Sequence, residues 1–148
     1  MTDFVAKDAD YEARVRASFA RQRVMETIGA RLLKVEPGAV EIALAFREDL
    51  TQQHGYLHAG IVAAVVDSAC GYAAMSLASA GAEVLSIEFK LNLLSPAAGE
   101  RFVARARVKR AGRNVTVCAG DLFAVAGDSE KTVATMLATM MTVAANSS

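Results

Sequence analysis

The chain has 148 residues, enough for one domain with a full core, and 53% of them are hydrophobic with no Trp. Sixteen basic residues balance sixteen acidic ones, which gives no reason to expect a nucleic acid or an anionic membrane as partner. Cys70 and Cys118 lie far apart, and with only two His they make no zinc spacing, no CxxC pair and no disulfide framework, so no metal site is expected.

The first residues, Met1 to Asp8, are mixed and acidic and do not read as a secretory leader, so a reduced, cytoplasmic protein is expected. They read as a frayed lead-in. Asp8 or Asp10 is placed to cap a helix running to about Met25. Tyr11, Val15 and Phe19 share its apolar face, and Arg14, Arg16, Arg21 and Arg23 read as a solvated one. Strands are predicted over Arg31–Glu36 and Ala39–Phe46, on either side of a Pro37-Gly38 turn. In the second, Val40, Ile42, Leu44 and Phe46 alternate with smaller or polar residues, which suits a hairpin with one buried face. A polar loop, Arg47 to Leu57, then delivers the chain to a helix.

That helix is predicted over Ile61–Ala80. From Ala59 to Ala80 Asp67 is the only charged residue, and no polar stripe recurs at helical spacing. Such a helix is wrapped by protein or spans a membrane. Asp67 would stand at mid-bilayer, at a cost of roughly 2.5–3.5 kcal/mol, and neither flank carries a basic cluster, so the wrapped reading is preferred. The many Ala, Gly and Ser residues let a sheet approach closely. After Gly81, Glu83–Leu94 alternates with Leu85, Ile87, Phe89, Leu91 and Leu93 on one face, and Ser95 to Gly99 ends it. Arg101–Arg110, Asn114–Val125 and Lys131–Val143 read as three more strands, and the tail from Ala144 as loose. The order gives a single α+β domain with a helical lead-in at 1–27 and a core at 28–143. In that core an antiparallel sheet of five or six strands, the last four linked by hairpins, wraps a long central helix.

Two features carry chemistry. The helix N-terminus, Leu57-His58-Ala59-Gly60, offers unpaired N–H groups to a developing oxyanion, although small residues there also suit packing. Asp67 is a candidate general base or nucleophile; its alternative is a structural acid bonded to Ser68 or a tyrosine. Ala59 and Asp67 are ~12 Å apart along the helix axis, too far to act on one atom. Two antiparallel copies would set one beside the other, so a real site should be shared. His54 reads as structural or exposed, Tyr72 as core or pocket wall, and Met136, Met140 and Met141 as core or interface.

The block His54-Gly55-Tyr56-Leu57-His58-Ala59-Gly60 has an acid, Asp67, nine residues after His58. It is followed by Ser86-Ile87-Glu88-Phe89-Lys90-Leu91-Asn92-Leu93-Leu94-Ser95-Pro96. Together they resemble the PaaI-like hotdog-fold acyl-CoA thioesterases, whose pattern is H-G-G with an acid nine after the His, then a strand of the type T/S-x-E-F-K-x-N-x-L-x-P. The resemblance implies the hotdog fold and hydrolysis of acyl- or aryl-CoA thioesters without metal or cofactor. It also implies assembly as homodimers, commonly homotetramers, with the acid contributed across the interface. By the same resemblance Asp67 activates water or attacks the thioester carbonyl, and the Ala59 N–H holds the oxyanion. Gln52 positions thioester or water, Ser86 assists the water, and His58 orients the loop. Lys109, Arg110 and Arg113, which otherwise read as a solvated turn, would contact the CoA phosphates. Leu77, Leu85 and Tyr72 would line the acyl pocket. Ala59 replaces the first Gly of H-G-G but keeps its N–H. Two rivals remain: an acyl-CoA-binding protein without turnover, and a hotdog enoyl-CoA hydratase using His58 and Asp67 as an acid–base pair.

Overall fold

The chain folds in the order α1 (Tyr11–Arg21), α2 (Arg23–Ile28), β1 (Arg31–Glu36), β2 (Ala39–Ala45), α3 (Ala59–Met75), β3 (Glu83–Leu93), β4 (Arg101–Ala111), β5 (Val115–Ala126) and β6 (Ser129–Val143). The structure is a computed structural model and describes residues 3–144; the first two residues of the lead-in and the loose tail expected beyond Ala144 lie outside the described residues. The six strands form one sheet in the order β1-β2-β4-β5-β6-β3, with every neighbouring pair antiparallel. The sheet packs against α3 in the hotdog arrangement.

Small side chains set the distance between helix and sheet. Val62, Val65, Val66, Ala69, Cys70 and Ala73 are buried on α3, against Ala104, Ala106, Cys118, Leu122 and Ala138 of the sheet. Under the middle of the helix lies Gly120, where a Cβ would stand 2.8 Å from Val66 Cγ1 and 2.9 Å from Cys70 Sγ. A side chain there would force helix and strand apart. On its other side α3 is only partly covered along Gly60, Ala63, Ala64, Asp67 and Gly71, so the wrapping is less complete than the sequence suggests.

The helix stops at Met75, one turn short of its predicted end. Ser76 Oγ donates to the Ala73 carbonyl at 2.6 Å and accepts from the Gly38 N–H at 2.7 Å. Arg14, expected on a solvated face, instead donates to the carbonyls of Met75 (3.3 Å) and Ala78 (2.8 Å) while its Nε pairs with Asp8 at 2.9 Å. A cation at a helix C-terminus opposes the dipole's negative end and satisfies orphan carbonyls. Phe4 packs on the core beside Gly38, so the described part of the lead-in is tied down at both Phe4 and Asp8. The first predicted helix is broken at Gln22, whose extended backbone (ψ 95°) separates α1 from α2. Val15 is fully buried on its apolar face, with Tyr11 and Phe19 partly so.

Two expectations for β3 are corrected. It does not form a hairpin with β4 but pairs with β6, at the sheet edge. The segment between them is too long for a tight turn. It crosses the ends of β6 and β5, with Leu94 N–H bonded to the Val133 carbonyl and Glu100 N–H to the Val125 carbonyl (both 2.9 Å). The single apolar face expected from Leu85 to Leu93 is also split. A bulge between Ser86 and Glu88 shifts the register, so Ser86 opposite Met140 and Phe89, Leu91 and Leu93 opposite Ala138, Met136 and Ala134 all face α3. Leu85, opposite Met141, turns to the outer face. Among the described residues no helix is long and apolar enough to cross a membrane.

Gly120→Val is expected to lower the unfolding free energy by about 1–3 kcal/mol, read by urea denaturation, because its side chain would collide with Val66 and Cys70 of the helix.

Candidate active site

His58 is the N-cap of α3, and its Nδ1 accepts the Gly60 N–H at 2.8 Å. The proton of the ring is therefore assigned to Nε2. The His58 carbonyl takes the N–H groups of Ile61 and Val62 at 3.0 and 3.1 Å. Of the four N–H groups in the first turn, that of Ala59 is left without a protein partner among the described residues. The preceding loop is held by its own bonds: Gln52 N–H to the Tyr56 carbonyl at 2.8 Å, Gly55 N–H to the Gln52 carbonyl at 3.0 Å, and His54 N–H to Gln52 Oε1. Gly55 sits at φ +82°, a left-handed position that favours glycine. Ala59 and Gln52 line a cavity of about 370 Å³ with Tyr56, Val62, Leu93 and Pro96. His58 is absent from that lining and borders a separate cavity with Asp49, Thr51 and Ile61. His54 is exposed.

Asp67 stands two turns further along α3. Ser86 Oγ, brought inward by the β3 bulge, donates to Asp67 Oδ1 at 2.8 Å. Ser68, one candidate partner, instead donates to Gln22 Oε1 at 3.0 Å. Burial raises the Asp67 carboxyl above its ordinary value, and the Ser86 bond offsets part of that. Asp67 and Ser86 line a cavity of about 240 Å³ with Ser18, Gln22, Gly71 and Tyr72. Ser18 and Tyr72 hydroxyls lie 3.3 Å apart, and burial raises the Tyr72 phenol, so it stays a donor.

The structure thus divides the predicted residues between two cavities: Ala59 with Gln52, and Asp67 with Ser86. Within one chain no reacting atom reaches both. Nor does His58 meet Asp67 there, which removes an acid–base pair of the hydratase kind from a single copy. Of the three residues expected to line an acyl pocket, only Tyr72 borders the Asp67 cavity; Leu77 lines a different one with Arg113 and Lys7, at the C-terminal end of α3, and Leu85 faces outward. Lys109, Arg110 and Arg113 are exposed about the β4–β5 turn at that same end. It is ~24 Å along the axis from Ala59. Gln22 and Ser18 were not legible as site residues, since no Gly, Pro or cap signal marks the break in Arg21-Gln22-Arg23. Cys118 Sγ donates to the Cys70 carbonyl at 3.4 Å, and burial pushes the Cys118 thiol up to about 12 and raises Cys70 too, so neither is a thiolate nucleophile.

The family model described as the thioesterase superfamily matches residues 54–130. A crystal structure of a thioesterase family protein from Silicibacter pomeroyi is 52% identical, with a TM-score of 0.89 covering 90% of this chain and 98% of that one. A Saccharolobus solfataricus protein, named only provisionally as an esterase, is 27% identical over 95 residues, 64% of this chain and 67% of its own length. The Escherichia coli PaaI protein from the phenylacetic acid degradation operon is 18% identical, with a TM-score of 0.84 over 95% of this chain and 99% of its own; that likeness speaks for the fold alone.

An acid raised by burial contributes stability that is complete below its unfolded value and lost as pH rises through its folded value. Asp67→Asn is therefore expected to raise the Tm at pH 7 by a few degrees, with the gain vanishing below about pH 4. A lower Tm at pH 7, by calorimetry across pH, would contradict the assigned environment.

Proposed function

We propose that this chain, which belongs to the thioesterase superfamily, hydrolyses the thioester of an acyl- or aryl-coenzyme A in a site completed by a second copy of itself. Thioester hydrolysis follows from the family; the coenzyme A ester, the shared site and the residue roles are our reading. The observation that carries it is the division of labour along α3. One cavity holds an N–H unpartnered among the described residues and has no acid or histidine in its lining, and the other holds a raised carboxylate but no helix N-terminus.

Two copies related by a two-fold axis, with their α3 helices antiparallel, bring each Ala59 toward the other's Asp67. Support for such a pair lies on β3. It is an edge strand with an unpaired side, and Phe89 (43% exposed) and Leu93 (57%) face the α3 side uncovered. Edge-to-edge pairing of β3 with its copy would continue the sheet and cover both. The outer face, with Leu85 and Leu137 exposed, would serve the second contact of a tetramer. In the antiparallel pair Lys109, Arg110 and Arg113 of one copy lie at the Ala59 end of the other, where CoA phosphates would sit.

In this reading Asp67 takes a proton from water, with Ser86 holding Oδ1 and leaving Oδ2 for the water. A carboxylate raised by burial is the stronger base for that step. The water oxygen bonds to the thioester carbon, and the carbonyl oxygen becomes an anion held by the Ala59 N–H. The C–S bond then breaks, and the proton passes from Asp67 to the departing CoA thiolate. No cofactor enters, since CoA is part of the substrate. His58 positions the helix end, Gln52 the thioester or water. The cytoplasmic setting expected from the sequence belongs to the same proposal.

Ala59→Pro removes the N–H at the first helical position, where proline is accommodated, and His58 already has the extended backbone that proline requires before it (φ −61°, ψ 138°). It is expected to cut kcat by roughly 10²–10³ on a panel of acyl-CoA esters, read by thiol release, with the Tm retained. Asp67→Asn should abolish release. Refolding the two inactive variants together should restore release in roughly a quarter of the sites, because half the dimers then carry one intact site. No recovery, or full activity in Asp67→Asn, would defeat the shared site or the base respectively. The acid limb of kcat/KM should inflect above the ordinary carboxylate range, and Ser86→Ala should move it higher still, since the lost bond favours the charged form.

A further inference from the structure

Residues 3–10 form neither helix nor strand, yet they are held at two points. The Phe4 ring fills the space over Gly38, where a Cβ would stand 2.8 Å from Phe4 Cδ2. Asp8 accepts from Arg14 Nε at 2.9 Å and from the Asp10 N–H at 3.0 Å. Between these anchors Val5 and Lys7 are exposed, so core packing does not explain why the stretch is pinned there. What it does form is one wall of a cavity of about 290 Å³ at the C-terminal end of α3, and the β4–β5 turn, with Gly112 and Arg113, forms another.

The lining of that cavity suits an anion. It contains Lys7 and Arg113, from two separate elements, the hydroxyl residues Ser79, Thr116 and Thr142, and no carboxylate. Thr116 is only 4% exposed, and its hydroxyl has no protein partner among the described residues. A buried hydroxyl left in that state costs free energy unless something in the cavity bonds it. Lys7 and Arg113 also have no ion-pair partner among the described residues. On the outer face of the sheet, by contrast, Arg105 pairs with Glu41 and Glu130, and Arg107 lies 3.9 Å from Asp121. Unmatched cations grouped about a concave surface with hydroxyl donors attract and bond a phosphate.

We infer that the N-terminal segment is a strap across the nucleotide end of the site, pinned by Phe4 and Asp8 so that Lys7 closes with Arg113 and the Thr116 hydroxyl on one phosphate of coenzyme A. The identity of the ligand rests on the reading above. Met75, at the end of α3 beside the cavity, is ~12 Å along the axis from Asp67, a gap that the pantetheine arm of coenzyme A is long enough to span. Lys7 then selects substrates by their nucleotide end, whatever acyl group they carry. A merely solvated strand of chain predicts no such selection.

The test is the affinity for coenzyme A and for pantetheine, by titration calorimetry, in wild type, Lys7→Gln, Lys7→Arg and Lys131→Gln. The last removes the same charge beside Ala124, at the other end of the β5–β6 pair. Lys7→Gln is expected to weaken coenzyme A about tenfold and to leave pantetheine unchanged. Lys7→Arg and Lys131→Gln should both stay near wild type. Unchanged coenzyme A affinity in Lys7→Gln overturns the inference, and so does an equal loss in Lys131→Gln or an equal loss for pantetheine. Inorganic phosphate that binds through Lys7 without being displaced by coenzyme A also overturns it, since the cavity then serves a free anion. Binding needs no turnover, so the two readings fail separately. Thiol release lost in Asp67→Asn, with coenzyme A binding indifferent to Lys7, removes this inference alone. Coenzyme A held through Lys7, with no release from any ester, removes the hydrolytic reading and supports the strap.

Discussion

The approach of α3 to the sheet is the constraint on which the rest depends. Gly120 has no room for a side chain, and Ala104, Ala106 and Ala138 extend the same low surface to either side. A helix seated this deeply is buried on the sheet side by valine, alanine and cysteine, and its opposite stripe is left to Gly60, Ala63, Ala64, Asp67 and Gly71. Every group assigned to the chemistry lies on or beside that stripe or at the end of the helix. The sheet therefore acts as a base that fixes the helix, and the helix presents the groups proposed to react at intervals set by its own rise.

How much of this the sequence discloses depends on whether the information is local. Alternation in Val40 to Phe46, the turn at Pro37-Gly38, and the apolar run after His58 are short-range signals, and each element they predict is present. Asp67 is legible for the same reason, as a lone charge in an apolar run. The β3–β6 pairing is not, because the partner of an edge strand is chosen by the whole sheet and the chain between β3 and β4 crosses two strand ends first. The bulge at Ile87 is hidden too: Leu85, Ile87 and Phe89 keep perfect alternation while the register beneath them slips by one. That slip lets Ser86 and Phe89 face the helix together, so a defect in the ladder delivers the hydroxyl that meets Asp67. Arg14 and Gln22 belong to the same class. Their roles, capping the end of α3 and lining the Asp67 cavity, come from contacts made across the fold.

The helix N-terminus shows how a structural device and a chemical one share a few atoms. A capping side chain satisfies one of the first N–H groups, most often the second or third. His58 takes the second, Gly60, and its carbonyl takes the third and fourth. The first is left over, and Ala59 lines a cavity with Gln52. A cap that took the Ala59 N–H would silence the donor, and a missing cap would leave the whole turn free to fray. On the proposed reading, His58 contributes by holding the turn and by leaving one N–H unclaimed, with no need to touch a substrate.

Three features of α3 run against stability: a carboxylate raised by burial, a glycine in the helix interior with empty space beside it, and an N–H at the helix start with no protein partner among the described residues. None is explained by the core, which is well filled on the sheet side. Proteins retain such features where function uses them. The three are not scattered. Two share one cavity and the third lines another, and the ~12 Å between them is a distance that one helix cannot close and an antiparallel pair can. On the proposed reading, the second copy that completes the chemistry would also cover the exposed Phe89 and Leu93, so assembly and catalysis would draw on a single interface.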